Sequence, residues 1–301
     1  MTCELAFIKA LRAMAGHPAA RGLDDDCAVL DLGAKTLVLT HDAMAQGVHY
    51  PDAADPYDVA WKLVAVNMSD LAAKGAQPVG VLLGYMLGRD DVRFLEGLRA
   101  ALDHFGAALL GGDTIAGPGP QVLGLTAIGR ASHCPVPSRA GARAGDGLWV
   151  TGALGAAMLG FEALESGSGD STAYRRPQAR LAEGKALAPR VTAMMDISDG
   201  LLLDAWRMAE ASGLTLSIDS GSVPIAASEA RRADALRWGD DYELLFTAPA
   251  GTDLPVPAFR IGEAAERTNE SPLLLDGLPI TDPTGLGYQH KNDRETQVPP
   301  S

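Results

Sequence analysis

Cysteine is scarce in this chain. Its 301 residues include three, Cys3, Cys27 and Cys134, and no C-x-x-C pair. An odd, dispersed set argues against a disulfide framework and a thiolate zinc site, and points to a reducing cytoplasm. Long apolar runs are missing too. The longest, Val79–Leu87, is broken by Gly80 and Gly84 and falls far short of the roughly 20 residues a membrane span needs. The first residues, Met1-Thr2-Cys3-Glu4, lead into an amphipathic stretch with Lys9 and Arg12 and do not read as a signal peptide. Positive charge is in deficit: 25 Lys and Arg face 38 Asp and Glu, a net charge of −13. That balance argues against non-specific nucleic-acid binding, which rests on cationic side chains meeting phosphates. It leaves a nucleotide ligand open, because bound metal can supply the positive charge. The familiar phosphate-binding and catalytic signatures are also absent. There is no G-x-x-x-x-G-K-S/T, no G-x-G-x-x-G and no H-E-x-x-H. Asp196-Ile197-Ser198-Asp199-Gly200 approaches a nucleophile elbow, but Asp196 replaces its first glycine.

What the chain has instead is aspartate joined to small, turn-forming residues. The blocks are Asp24-Asp25-Asp26, His41-Asp42, Asn67-Met68-Ser69-Asp70, Gly111-Gly112-Asp113-Thr114, Asp196 to Gly200, and Gly239-Asp240-Asp241. Any one of them also fits a helix cap or a turn, since Asp, Ser and Gly serve there. Together they suggest metal-bridged phosphate chemistry. Hard divalent cations take oxygen ligands, and Mg²⁺ is usually held by one or two carboxylates plus substrate phosphates. Gly111 and Gly112 let a backbone approach a phosphate closely, and Asp113 could hold a metal on it. Asp199 and Gly200 open a helix, so their amides could face an anion while Asp196 and Asp199 face a cation.

The composition, 47% apolar and 21% charged, is that of an ordinary globular protein long enough for two cored domains. Short β runs are expected at 28–32 and 36–40. A helix follows with Asp55 as N-cap, Pro56 at its first position, Asp58 in its first turn and Gly75 closing it. Asn67, Ser69 and Asp70 then sit near the helix C-terminus, where an acid opposes the dipole and a bound cation would offset the cost. Val79–Leu87 reads as a buried strand, 89–105 as a helix, 107–110 as a strand entering Gly111, and 121–130 as a strand. The Pro- and Gly-rich stretch 131–146 reads as a domain boundary. Beyond it come a strand at 147–151, a small-residue helix at 152–165, a mobile Ser/Gly loop at 166–171 and a strand at 191–197. A helix at 200–212 capped by Asp199 follows, with strands at 214–219 and 242–248. The polar tail from about 289 reads as disordered.

On these blocks the chain resembles the thiamine-monophosphate kinases. That family belongs to the superfamily that also holds aminoimidazole ribonucleotide synthetase and selenophosphate synthetase. The resemblance runs over nearly the whole length. Its strongest pieces are 63–76 (LVAVNMSDLAAKGA), 110–114 (LGGDT), 138–146 (SRAGARAGD), 149–155 (WVTGALG), 196–201 (DISDGL) and 239–247 (GDDYELLFT), in order and correctly spaced. It implies a mixed α/β fold of two domains like that of aminoimidazole ribonucleotide synthetase. Residues 1–135 would bind ATP and metal, with a mixed sheet forming a homodimer, and residues 136–301 would form the α/β C-terminal domain. It implies ATP-dependent phosphorylation of thiamine monophosphate, with several Mg²⁺ ions and no general base. Asp26, Thr40, His41, Asp42, Asp70, Asp113, Asp196 and Asp199 fall on the family's metal positions. Gly112, Asp113, Arg139 and Ser198 fall on its nucleotide positions, and His49, Asp240 and Tyr288 on its thiamine-phosphate positions. Asp24 stands where the family usually has Gly, His41 where it has Thr, and Asp240 where it has Glu, one methylene longer. Two other readings remain: another ATP-using synthetase of the superfamily, or a metal- or nucleotide-binding dimer without turnover. Neither nucleic acid nor membrane is an expected partner.

Overall fold

The computed structural model describes residue 12, residues 17–267 and residues 271–289. Nearly all of the expected tail, and most of the amphipathic N-terminal stretch, lie outside the described residues. The N-terminal domain runs β1 (Ala28–Asp31), β2 (Thr36–Ala45), α1 (Pro56–Ala73), β3 (Ala76–Met86), α2 (Asp91–Phe105), β4 (Ala108–Ile115) and β5 (Val122–Ala131). Its sheet has the order β1-β2-β5-β3-β4, antiparallel except for the β3–β4 pair. Alternation along the strands gives the sheet two unlike faces. Val38, Val81, Leu123, Leu125 and Ala127 pack with Leu63, Phe94 and Leu98 of α1 and α2. His41, Leu82, Gly84, Gly124 and Thr126 belong to the other, outer face, as their mutual register places them.

α1 begins as its sequence dictates. Asp55 accepts from the Tyr57 amide at 3.0 Å and Pro56 opens the first turn. The helix stops because Gly75 takes φ +57, and a Cβ there would come within 2.4 Å of the Ala188 methyl. Most of α1 is buried, its polar residues included. Asp58, Lys62, Val66 and Ser69 form one stripe at spacings of three to four residues, and that stripe faces the C-terminal domain. Asp58 takes ion pairs from Arg175 and Arg176, Lys62 pairs with Asp240, and Ser69 donates to Asp196. Just beyond, Ala72 and Ala73 pack with Leu187, Met194 and Phe246.

The C-terminal domain adds β6 (Gly147–Val150), α3 (Ala156–Ser166), α4 (Thr172–Arg175), α5 (Leu181–Leu187), β7 (Ala193–Asp196), α6 (Leu201–Ser212), β8 (Leu214–Ile218), β9 (Leu244–Ala248), β10 (Phe259–Glu266), β11 (Leu273–Leu275) and β12 (Leu278–Ile280). Its sheet has the order β12-β11-β8-β10-β6-β9-β7. Leu148, Leu216, Leu245 and Ile261 meet Leu202, Ala205 and Met208 of α6 in its core. Among the described residues no helix is long and apolar enough to cross a membrane.

The architecture is the mixed α/β, two-domain one expected, with differences in detail. β2 and β4 are longer than their sequence signals, and β4 carries straight through Gly111-Gly112-Asp113. β3 is buried on one face alone: Val79 and Leu82 are 47% and 41% exposed. β10 lies inside its sheet but carries Arg260, Glu263 and Glu266, so its apolar alternation is too weak to announce a strand.

Gly97 is where α2 crosses α1. A Cβ there would lie 2.2 Å from the Tyr57 carbonyl oxygen. Ala ordinarily stabilises a helix interior by about 1 kcal/mol over Gly, but overpacking typically costs about 1–3 kcal/mol. Gly97→Ala is therefore expected to lower the melting temperature by several degrees, measured by calorimetry. A rise would show that the two helices are not packed this closely.

Candidate functional site

The site forms where α1, β2 and the C-terminal ends of two loops meet the end of β7. Asp26 precedes β1, Asp70 lies near the end of α1 and Asp196 ends β7. Each offers a carboxylate oxygen, and these oxygens lie within 4.8 Å of one another. Like charges this close repel strongly away from water. Burial, then Asp42, Asp196 and Asp26, hold the Asp70 carboxyl well above the usual range. Burial, then Asp26, push Asp196 up to about 8, against a hydrogen bond from Ser69 at 2.6 Å. Burial, then Asp26 and Asp199, push Asp42 to about 6. Thr40 donates its hydroxyl to Asp70.

Two cations flank the cluster, Lys74 buried and Arg139 half-buried. The Lys74 ammonium reaches Asp26 at 2.5 Å, Asp25 at 2.6 Å and the Met194 carbonyl at 3.2 Å. Burial disfavours its charge, but Asp26 and Asp25 outweigh this and hold its pKa above the ordinary lysine value. Burial likewise acts against ionised Asp25, yet Lys74 and Arg21 bring that carboxyl below the usual range. Arg139 pairs with the other oxygen of Asp26. Its Nε is buried and, among the described residues, has no hydrogen-bond partner. A buried donor without a partner is costly and marks a place for an acceptor.

Beside the cluster opens a cleft of about 640 Å³, within the range of small-molecule sites. Asp42, Asp70, Asp196, Ser198 and Asp199 line it, as do His49, Asp240 and Tyr288. So do Lys62, Phe161, Tyr174, Trp238 and Tyr242, which sequence reasoning did not single out. Lys62 had a signal: apolar residues fall on every side of α1, so a lysine within it has no solvent face to occupy. The aromatics come from separate segments and had none. Asp199 pairs with Arg207 at 2.5 Å, and its carbonyl accepts from the Tyr288 amide at 2.9 Å. His49 Nδ1 accepts from the Ala45 amide at 3.0 Å.

The structure corrects one local expectation. α6 starts at Leu201 behind Gly200, and no side chain caps it there. The amides of Ser198 and Asp199 donate instead to buried Asp204, at 3.1 and 3.0 Å. Asp199 is thus not the N-cap, and its amide is not left for a bound anion, because the Asp204 carboxyl reaches back from inside the helix to take it. Asp241 likewise accepts from Gly155 and Ala157 at 2.7 and 3.2 Å, capping α3 from outside.

The Gly111-Gly112-Asp113-Thr114 block lies elsewhere, and so does His41, though its neighbour Asp42 lines the cleft. His41 is on the outer face, its Nδ1 2.9 Å from the Thr126 hydroxyl. Asp113 on β4 is in register with Gly84, and Gly84 with Gly124, so it points from that same face. It stands three strands from β2, roughly 14 Å at the usual strand spacing, and on the far side of the sheet from Asp70. Within one chain, Gly112, Asp113 and His41 do not join the cluster.

Known proteins resemble this chain in sequence and fold. Residues 24–131 match the family model of the AIR synthase related protein N-terminal domain, and residues 143–270 that of its C-terminal domain. The thiamine-monophosphate kinase of Salmonella typhimurium is 35% identical, covering 89% of this chain and 91% of its own. That of Caulobacter vibrioides is also 35% identical, covering 91% and 86%. The solved structure of AaThiL complexed with AMPPCP and TMP superposes with a TM-score of 0.85. It is 28% identical and covers 96% of this chain and 97% of that one. Thiamine monophosphate kinase from Aquifex aeolicus superposes at 0.79, also 28% identical, with coverages of 92% and 98%.

The raised carboxyls make a stability prediction. Unfolded aspartates titrate near 3.9, whereas folded Asp42 and Asp204 titrate near 6, Asp241 near 7 and Asp196 near 8, burial being the first cause for each. Between about pH 4 and 8 the folded state binds more protons than the unfolded one, so stability falls as pH rises. With chelator present, the melting temperature is expected to be lower at pH 8 than at pH 5.5. A flat or rising profile over that window would show that these carboxyls are not held protonated.

Proposed function

Because the chain belongs to the AIR synthase related family, and within it to the thiamine-monophosphate kinases, we propose that it transfers the ATP γ-phosphoryl group to thiamine monophosphate, giving thiamine diphosphate. The observation that carries this reading is the convergence of Asp26, Asp70 and Asp196 beside a cleft large enough for both substrates' reacting ends. A phosphate monoester loses its second proton near a pKa of about 6, so the acceptor is already nucleophilic at neutral pH. No general base is required, and none is assigned. The obstacle is repulsion between two polyanions.

The donor set fits Mg²⁺. It consists of oxygens alone, and burial with neighbouring carboxylates pushes the Asp70 and Asp196 carboxyls up, a strain that a cation would relieve. Asp26, Asp70 and Asp196, with Thr40, Asp42 and Asp199, would hold several ions. Bound there, Mg²⁺ supplies the positive charge that lets the two phosphates approach in line. The chain's own groups do the rest. Arg139 has a buried Nε without a partner among the described residues, and the fixed plane of its guanidinium suits it to hold a nucleotide phosphate oxygen. Ser198 lines the same cleft and is assigned to the nucleotide. His49, Asp240 and Tyr288 are assigned to the thiamine phosphate. Lys74 holds Asp26 in place from behind.

Gly112, Asp113 and His41 find a role in a homodimer. The outer sheet face that bears Asp113 and His41 also carries Leu37, Leu39, Leu82 and Val122, an apolar surface that a second copy would cover. Such a copy would bring these residues to its partner's nucleotide. The domains meet at residues 135 and 136 in this reading. The free Cys27 and Cys134 suit a reducing cytoplasm.

Incubation with thiamine monophosphate, ATP and Mg²⁺ is expected to give thiamine diphosphate, detected by mass spectrometry, and chelator is expected to abolish it. Asp70→Asn should lower kcat by about 100-fold or more, as loss of a charge-stabilising group does. A rate within about threefold of wild type in that variant contradicts the assignment.

A further inference from the structure

Lys62 lies on α1 inside the cleft, 4% exposed, and none of the metal, nucleotide or substrate positions includes it. Its ammonium is 2.7 Å from Asp240 Oδ2 and 3.3 Å from the His49 carbonyl oxygen, and stands 3.9 Å above the centre of the Tyr174 ring. These partners come from three separate segments. His49 follows β2, Tyr174 belongs to α4, and Asp240 sits in the turn before β9. An ammonium has three N–H donors and no acceptor. Here each has a partner: a carboxylate, a carbonyl and an aromatic face.

The contacts close into a network. The Tyr174 hydroxyl donates to the same His49 carbonyl at 3.3 Å. The other Asp240 oxygen accepts from the Tyr242 hydroxyl at 2.8 Å, and the Asp240 amide donates to the Ser198 carbonyl at 2.8 Å. Asp240 adopts φ +65, a conformation unfavourable for a residue with a Cβ. Such a conformation persists where its surroundings over-determine it, and Lys62 is the one cation among those contacts. One turn earlier, Asp58 fixes α4 through Arg175 and Arg176, which sets Tyr174 over Lys62. A lysine that gripped a substrate phosphate would keep at least one N–H direction open to the cleft. Lys62 spends all three on the protein.

We propose that Lys62 is a positioning residue for the acceptor. It ties His49, Tyr174 and Asp240 into one wall, so that the short Asp240 side chain presents its carboxylate in a single place. The inference rests on the thiamine-phosphate reading of this cleft and adds a residue to it.

The test is steady-state kinetics of Lys62→Met, which keeps the length and removes the charge. The KM for thiamine monophosphate is expected to rise about tenfold or more, with kcat falling by less than about threefold and the KM for ATP unchanged. The inhibition constant of unphosphorylated thiamine should rise by the same factor, because the wall and not the phosphate is disturbed. With Lys62 already removed, Asp240→Asn should add little, a non-additivity expected of one network. Should Lys62→Met not fold, Lys62→Arg keeps the charge but cannot meet the three partners from one point, and a severalfold rise in acceptor KM is expected. An unchanged acceptor KM overturns the proposal. So does an equal rise for ATP, or a loss confined to the phosphorylated ligand. Wild-type enzyme assayed alongside separates the two questions, since its failure to turn over thiamine monophosphate speaks against the function and not against Lys62.

Discussion

The mutual repulsion of Asp26, Asp70 and Asp196 is the constraint around which this molecule is arranged. Their oxygens converge to within 4.8 Å from three segments far apart in the sequence. Nothing about that cluster favours folding by itself, because burial and like charge both work against it. It persists because the scaffold imposes it. Lys74, wholly buried, and Arg139 neutralise Asp26 from two sides, while Ser69 and Thr40 donate hydroxyls to Asp196 and Asp70. Such an arrangement costs stability, a cost that a bound cation would offset. The buried Nε of Arg139, without a hydrogen-bond partner among the described residues, is a second cost of the same kind, one that a bound acceptor would remove.

α1 is the structural means of this. A helix buried on nearly all sides would ordinarily be apolar throughout. This one carries Asp58, Lys62, Asn67, Ser69 and Asp70, and each polar group meets a particular partner. Its stripe of Asp58, Lys62 and Ser69 reads across the interface between the domains, so the geometry of the cleft is set by the same helix that supplies Asp70. Asn67 accepts from the Asp42 amide at 3.2 Å and registers β2 against it. A shift of this helix would move the metal-type cluster, the His49 carbonyl and Asp240 together. Site and domain packing are therefore one problem in this chain.

Much of this was legible in the residues, for identifiable reasons. Asp55, Pro56 and Gly75 bracket α1 by local rules, and the local rules held. The aspartate blocks declared themselves because small neighbours leave a carboxylate little to do except cap, turn or bind. The rest depended on long-range contacts. Asp199 looked like an N-cap until Asp204, five residues on, took the amides that a cap would have served. Asp113 and His41 looked like members of one cluster. Strand parity, which alternates faces at each residue, sends them to the opposite side of the sheet from Thr40 and Asp42. β10 escaped notice because its charged residues hide a strand that its neighbours on both sides enforce. Tyr174 and Trp238 carried no pattern, since a cleft wall assembled from separate loops has no period.

The account turns on cations being drawn to a place where carboxylates have been forced together. Crystals grown with Mn²⁺ and a non-hydrolysable ATP analogue, measured at the manganese absorption edge, test this most directly. An anomalous-scattering peak shared by the carboxylates of Asp26, Asp70 and Asp196 is the predicted result. A nucleotide-loaded crystal with no peak among those three side chains, or with manganese held only elsewhere, would contradict it.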